Sequence, residues 1–212
     1  MVVRDALPWV LTPLSAAALA ALFGFWWVAV PLLLLTAFMV YFFRDPRRTI
    51  PDDESVVVAP ADGRITRVEK LSPEDPLSPT VVSIFLSPFD VHINRAPIAG
   101  EVTDVTYTSG KFLIATRNEA SLVNEQNSLT IRGEHMTIVC KQIAGVLARR
   151  IVCWKRRGDT LALGERFGLI KFGSRTDLVL PPQVEIMLGV GERVSGGVSI
   201  IGRISDVGES HA

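Results

Sequence analysis

The chain has 212 residues with 22 basic and 22 acidic side chains, a formal net charge of zero. That length suits one compact domain with a short appendage rather than two full domains, and the balanced charge gives no global field for nucleic acid. Cys140 and Cys153 are the only cysteines; they are too few for a disulfide framework and, like His92, His135 and His211, lack metal-ligand spacing, so no metal is expected.

From Ala6 to Phe43 there is no charged residue across 38 positions. A spanning helix needs about 20 apolar residues, so the run is long for one span and slightly short for two. Gly24, the Trp26–Trp27 pair and Pro31 interrupt it. The preferred reading is a helical hairpin breaking near Val28 to Pro31, with one tilted span plus an interfacial segment as the alternative. A signal peptide has a shorter apolar core and a small-residue cleavage site, whereas this run ends in Tyr41-Phe42-Phe43-Arg44. Aromatics suit the headgroup layer, and Arg44, Arg47 and Arg48 suit the cytoplasmic side. Residues 1–50 are therefore read as a membrane anchor with a basic flank, and 51–212 as a separate domain on the cytoplasmic side of the inner membrane.

Beyond Pro51 short β-branched runs alternate with turn signals. Ser55–Ala59, Thr80–Leu86, Glu101–Tyr107, Ser128–Arg132 and Met136–Lys141 are of strand length. The best short helical candidate is Ser109–Asn118. Two loosely similar segments, Gly158–Arg166 and Gly189–Gly197, each place glycine turns around a short strand. The fold predicted is mainly β, a barrel-sandwich-like domain behind the N-terminal hairpin. From Arg149 to Arg175 eight Lys/Arg stand against Asp159 and Glu165, an electropositive stretch that suits an anionic lipid or a solvated face.

Three segments carry candidate chemistry. Leu169–Pro182 leads apolar residues into Gly173-Ser174 and then a second apolar run. Phe85–Gly100 sets Asp90, His92, Asn94 and Arg95 between prolines, and histidine titrates near working pH as a general base does. Ala59–Ile65 holds Asp62 in a Pro/Gly turn. Each is commonplace alone, since Gly-Ser pairs and capping Asp residues are frequent turns.

Taken in order behind FFRDP, the segments PADGRI, FLSPFDVHINRAP and KFGSRTD, with NEQN at Asn124–Asn127 and QIAG and ARRIVCW within Gln142–Trp154, resemble the short form of the phosphatidylserine decarboxylase family. The resemblance runs from Tyr41 to about Pro182. It implies a lyase made as a zymogen that cuts itself between Gly173 and Ser174, leaving chains 1–173 and 174–212 associated. Ser174 would become a covalently formed pyruvoyl group, with no metal and no pyridoxal phosphate. That ketone would form a Schiff base with the serine headgroup of phosphatidylserine in the bilayer and yield phosphatidylethanolamine, a step of phospholipid biosynthesis. Asp62 matches the carboxylate of the family's Asp–His–Ser triad, and His92 is the matching imidazole. Larger members carry H-x-x-H after the SP-x-D element; here the second position is Arg95, so either His92 would serve maturation, turnover or both, or Arg95 would change how the base is set. Arg175 and Arg95 are candidate contacts for the substrate's phosphate. A homo-oligomer is expected and nucleic acid is not. Two rivals stay open: a membrane-tethered β-barrel binding module that never cleaves, and the same chemistry on a diether lipid.

Overall fold

The computed structural model describes residues 3–114, 119–146 and 150–204. Two compact units emerge, Met1–Arg47 and Arg48–Ala212.

In the first unit, α1 (Leu7–Leu22) and α2 (Trp26–Phe42) pack against each other. With a short 3-10 turn before it, the first helix runs over Arg4–Leu22 for 19 residues, long and apolar enough to cross a membrane, and α2 is a shorter apolar helix. The break lies at Gly24 and not at Val28 to Pro31. Gly24 adopts φ +77°, its amide donates to Ala21 O at 3.0 Å, and the Phe25 amide donates to Ala20 O at 2.8 Å. That is the Schellman pattern, which satisfies the last carbonyls of α1 and which a left-handed glycine makes cheap. Pro31 sits inside α2, where it forgoes one intrahelical bond without ending the helix.

The second unit is mainly β. In chain order it contains β1 (Val56–Val58), β2 (Gly63–Lys70), β3 (Thr80–Leu86), β4 (Ile93–Arg95), β5 (Gly100–Thr108), α3 (Ala120–Val123), β6 (Gln126–Arg132) and β7 (Thr137–Ala144). There follow β8 (Arg150–Cys153), β9 (Thr160–Leu161), β10 (Arg166–Lys171), β11 (Ser174–Leu180), β12 (Val184–Ile186), β13 (Arg193–Val194) and β14 (Ile200–Ile204). Eight strands form one sheet in the order β13-β2-β3-β11-β7-β6-β5-β9; β4-β10-β8 and β1-β14-β12 form two smaller sheets. Bulges at Ile65/Arg67 in β2 and Val102/Asp104 in β5 bend the large sheet into a half-barrel. Its inner face carries the core, including Ile65, Ile84, Leu86, Leu129, Ile131, Ile138, Leu178 and Leu180.

All five strand-length runs are strands, within a few residues at their ends. The two glycine-flanked segments supply β9 and β13, which pair with β5 and β2 at opposite ends of the large sheet; edges this short offer little template for aggregation. The expected helix at Ser109–Asn118 is not found over Ser109–Ile114, and residues 115–118 lie outside those described. The short helix forms instead at Ala120–Val123, while Leu113 and Asn124 exchange two hydrogen bonds, each 2.9 Å. A side chain that satisfies backbone groups this way competes with helix formation.

Candidate active site

The corner between β10 and β11 has the most unusual backbone among the described residues. These strands belong to different sheets, so the chain turns sharply between them, with Phe172 at φ +63° and Gly173 at φ +54°. Phe172 is the only non-glycine with positive φ among the described residues. An L residue pays roughly 1–2 kcal/mol for that conformation, and such outliers cluster at functional sites. A Cβ on Gly173 would meet nothing within 4 Å. Glycine therefore stands there for its left-handed backbone and not to admit a close neighbour. Gly173→Ala is expected to fold without a clash and to lose about 1–2 kcal/mol in chemical denaturation.

Ser174 opens β11, paired with Leu86 of β3 and Ala144 of β7. It is fully buried, and its hydroxyl oxygen has no hydrogen-bond partner among the described residues. Buried hydroxyls are nearly always bonded, so an orphan is a candidate for chemistry.

His92 lies just before β4 and is 2% exposed. Its Nδ1 is 3.0 Å from the Asp90 carbonyl oxygen. A carbonyl only accepts, so Nδ1 carries the proton and the neutral ring keeps its lone pair on Nε2. The Asp90 carboxylate steadies the loop by accepting from the Ser87 amide at 2.8 Å and from Arg193 at 3.3 Å.

Strand register places His92 relative to Ser174. On the β4–β10 ladder Asn94 faces Gly168, Ile93 faces Leu169, and the Ile170 amide then donates to His92 O at 3.3 Å. The chain continues from Ile170 through the corner and returns along β11 from Ser174 to Thr176. Asn94 donates to Thr176 Oγ1 at 3.1 Å. With that rung closed, His92 and Ser174 both lie on its corner side.

Pro60 O accepts from the Arg95 amide at 2.9 Å, so the Ala59–Ile65 segment joins the other two at β4. The Asp62 carboxylate accepts from Arg48 Nη2 at 2.9 and 2.7 Å and from the Gly196 amide at 2.8 Å; no hydrogen bond joins it to His92. Arg95 turns its guanidinium to Gly164 O at 3.1 Å. Arg175 follows Ser174 in a strand, so its side chain leaves by the opposite face. There it is 1% exposed, bonded to Asp177 through Nε at 2.5 Å and Nη2 at 3.0 Å and to Ser83 Oγ at 2.7 Å. Ser121 donates to the same carboxylate at 2.9 Å. Asp177→Ala would leave a buried guanidinium without its counterion and is expected to cost about 3–5 kcal/mol, while Arg175→Met with Asp177→Leu should be much milder; urea midpoints check this.

The electropositive stretch does not form one face: Lys171 and Arg175 are buried, Arg150, Arg156, Arg157 and Arg166 are exposed, and Lys155 pairs with Glu165 at 2.6 Å; Arg149 lies outside the described residues. Burial pushes the Cys140 and Cys153 thiols above their usual range, which leaves them protonated and inert. Among the described residues no group of His, Cys, Asp or Glu is arranged for a metal ion. A cleft of about 410 Å³ opens near Met136 and Ile98, roughly 26 Å along β7 from the partner of Ser174. Sequence reasoning gave no role to the buried polar side chains Asn127, Gln142 and Thr176; Gln142 and Thr176 bond Asn94, and Asn127 bonds Gln142. Only the motif positions of NEQN and QIAG pointed toward the first two.

The sequence profile of the phosphatidylserine decarboxylase family matches residues 35–202. The chain belongs to this family. It is 53% identical over 192 residues to the phosphatidylserine decarboxylase proenzyme of Solibacter usitatus, covering 91% of each chain. It is 46% identical to that of Carboxydothermus hydrogenoformans, over 92% of this chain and 93% of the relative. With the Symbiobacterium thermophilum proenzyme the identity is 46%, over 96% of each. The protein is thus a decarboxylase, and the barrel module without activity is set aside. The matched span contains the β10–β11 corner, His92 and Asp62 of this decarboxylase.

Proposed function

We propose that this chain is a phosphatidylserine decarboxylase proenzyme that cuts itself between Gly173 and Ser174 and then acts on its lipid at the membrane. The observation that carries the reading is the left-handed Phe172–Gly173 corner leading into a buried serine whose hydroxyl has no partner among the described residues.

In the first step Ser174 Oγ adds to the Gly173 carbonyl carbon while its proton passes to His92 Nε2. Collapse of the adduct breaks the Gly173–Ser174 amide and leaves an ester, the nitrogen taking up the proton. Loss of the Ser174 α-proton then expels the Gly173 carboxylate from Cβ. The dehydroalanine so formed takes up water and releases ammonia, which leaves a pyruvoyl group at residue 174 on the chain 174–212. That group supplies the electron sink for the pair left behind when carbon dioxide departs.

His92 suits the role of base because the Asp90 carbonyl fixes its tautomer. Asp62, held by Arg48 and Gly196, contributes its charge near the same loop without touching the ring. The apolar helices anchor the enzyme where its diacyl substrate resides, with the catalytic domain on the cytoplasmic side, and an oligomer of the cleaved pair completes the reading. Arg95 and Arg175 act by supporting the site rather than by contacting phosphate.

The intact mass of the purified protein tests this. Two chains parting at Gly173–Ser174, the smaller lighter by one ammonia than a serine-started fragment, are expected. One full-length mass after long incubation in lipid would overturn the reading. Turnover of diacyl against diether phosphoserine lipids then decides the substrate.

A further inference from the structure

A run of buried amides crosses between the sheet whose strand β4 follows His92 and the sheet that carries Ser174. Asn127 on β6 donates to Gln142 Oε1 at 3.0 Å. Gln142 on β7 donates to Asn94 Oδ1 at 2.9 Å and to Val152 O on β8 at 3.3 Å. Asn94 on β4 donates in turn to Thr176 Oγ1 on β11 at 3.1 Å. The four side chains are between 0% and 4% exposed. Burying so many polar groups is costly against apolar packing, and each amide orientation is dictated by the one before it.

No backbone ladder joins β4 to β11. The corner between β10 and β11 links the two sheets through Phe172 and Gly173 alone, and the Asn94–Thr176 bond is a second tie between them. We propose that Asn94, Gln142 and Thr176 are positioning residues for the reaction at Ser174. Side chains two apart on a strand share a face. Asn94 lies two residues after His92, and Thr176 two after Ser174. Ser174 and Thr176 share a face of β11, and the His92 carbonyl extends the β4–β10 ladder by accepting from the Ile170 amide at 3.3 Å. The Asn94–Thr176 bond ties β4, two residues beyond His92, to β11 and so sets the separation of the imidazole from the hydroxyl, while Gln142 locks the Asn94 amide in the orientation that makes this bond. Proton transfer needs the two heavy atoms within about 2.6–3.2 Å, so a slip of one strand acts directly on the rate.

This proposal rests on the reading of Ser174 as the self-cleaving residue with His92 as its base. It is tested on full-length proenzyme made by cell-free translation, following uncut and cut chains by mass across a pH series. Thr176→Val keeps the shape and removes the hydroxyl. It is expected to slow cleavage by roughly 100-fold, as a misplacement near 1 Å does, whereas Thr176→Ser should stay within about 3-fold of the parent. The pH profile separates positioning from a general loss of stability. The parent rate should level off once the imidazole is neutral, and the Thr176→Val rate should keep rising with hydroxide. Should that variant fail to fold by circular dichroism, Gln142→Met is expected to show the same slowing and the same lost plateau. A folded Thr176→Val or Gln142→Met chain with the parent's rate and plateau would overturn the proposal, as would a Thr176→Ser chain as slow as the valine variant. A parent that stays uncut would remove the underlying reading, and the parent alone reports that outcome.

Discussion

Ser174→Ala is expected to accumulate as a single 212-residue chain that folds and releases no carbon dioxide from phosphatidylserine. The folding half of the prediction follows from burial. Ser174 is fully buried, and its hydroxyl oxygen has no hydrogen-bond partner among the described residues. Removing a hydroxyl that has no partner among the described residues forfeits none of their bonds, and it relieves the desolvation of that group. A normal circular-dichroism melt should therefore accompany complete loss of processing. The chemical half follows because an alanine methyl offers no nucleophile to Gly173 and no leaving group for elimination. Ser174→Ala protein that is cut and active would sink the mechanism outright. Because nothing else needs to change, any residual cleavage at this position would point to hydrolysis by water rather than by the chain.

His92→Asn is expected to have the second largest effect. Asparagine can place an amide nitrogen near the position of Nδ1, keeping a donor for the Asp90 carbonyl, which now sits at 3.0 Å, while the base at Nε2 disappears. Loss of a positioned general base lowers rates by roughly 10²–10⁴-fold, so self-cleavage should fall in that range with little change in the melt. His92→Ala should be slow as well, and also about 1 kcal/mol less stable, because the Asp90 carbonyl loses its donor. Processing time courses and decarboxylation by the matured enzyme divide the role of the histidine between the two reactions. Normal rates in both for a folded His92→Asn protein would remove this residue from the site.

Much of the architecture was legible in the linear order of residues. An uncharged run of 38 positions has to leave water, and its length favours helix. Short β-branched runs between glycines have to become strands, because a two-residue alternation buries one face of a sheet. Gly173-Ser174, His92 and Asp62 were visible through the company of motifs in which they stand, since local texture alone makes each an ordinary turn or core residue.

Other features depend on partners far apart in the sequence. The hairpin turned at Gly24 because a left-handed glycine can close a helix end, whereas Pro31 is absorbed inside the next helix at the loss of one bond. Arg175 reads as a cation beside Ser174, but strand alternation sends it to the opposite face and Asp177 holds it there. Asp62 reads as the partner of an imidazole, yet Arg48, 14 residues before it, takes its carboxylate. The bond from Asn94 to Thr176 spans 82 residues. Composition and periodicity specify which residues leave water and in which local form. The pairing of polar groups is chosen only when sheets meet, because a hydrogen bond depends on register and direction that no local pattern encodes.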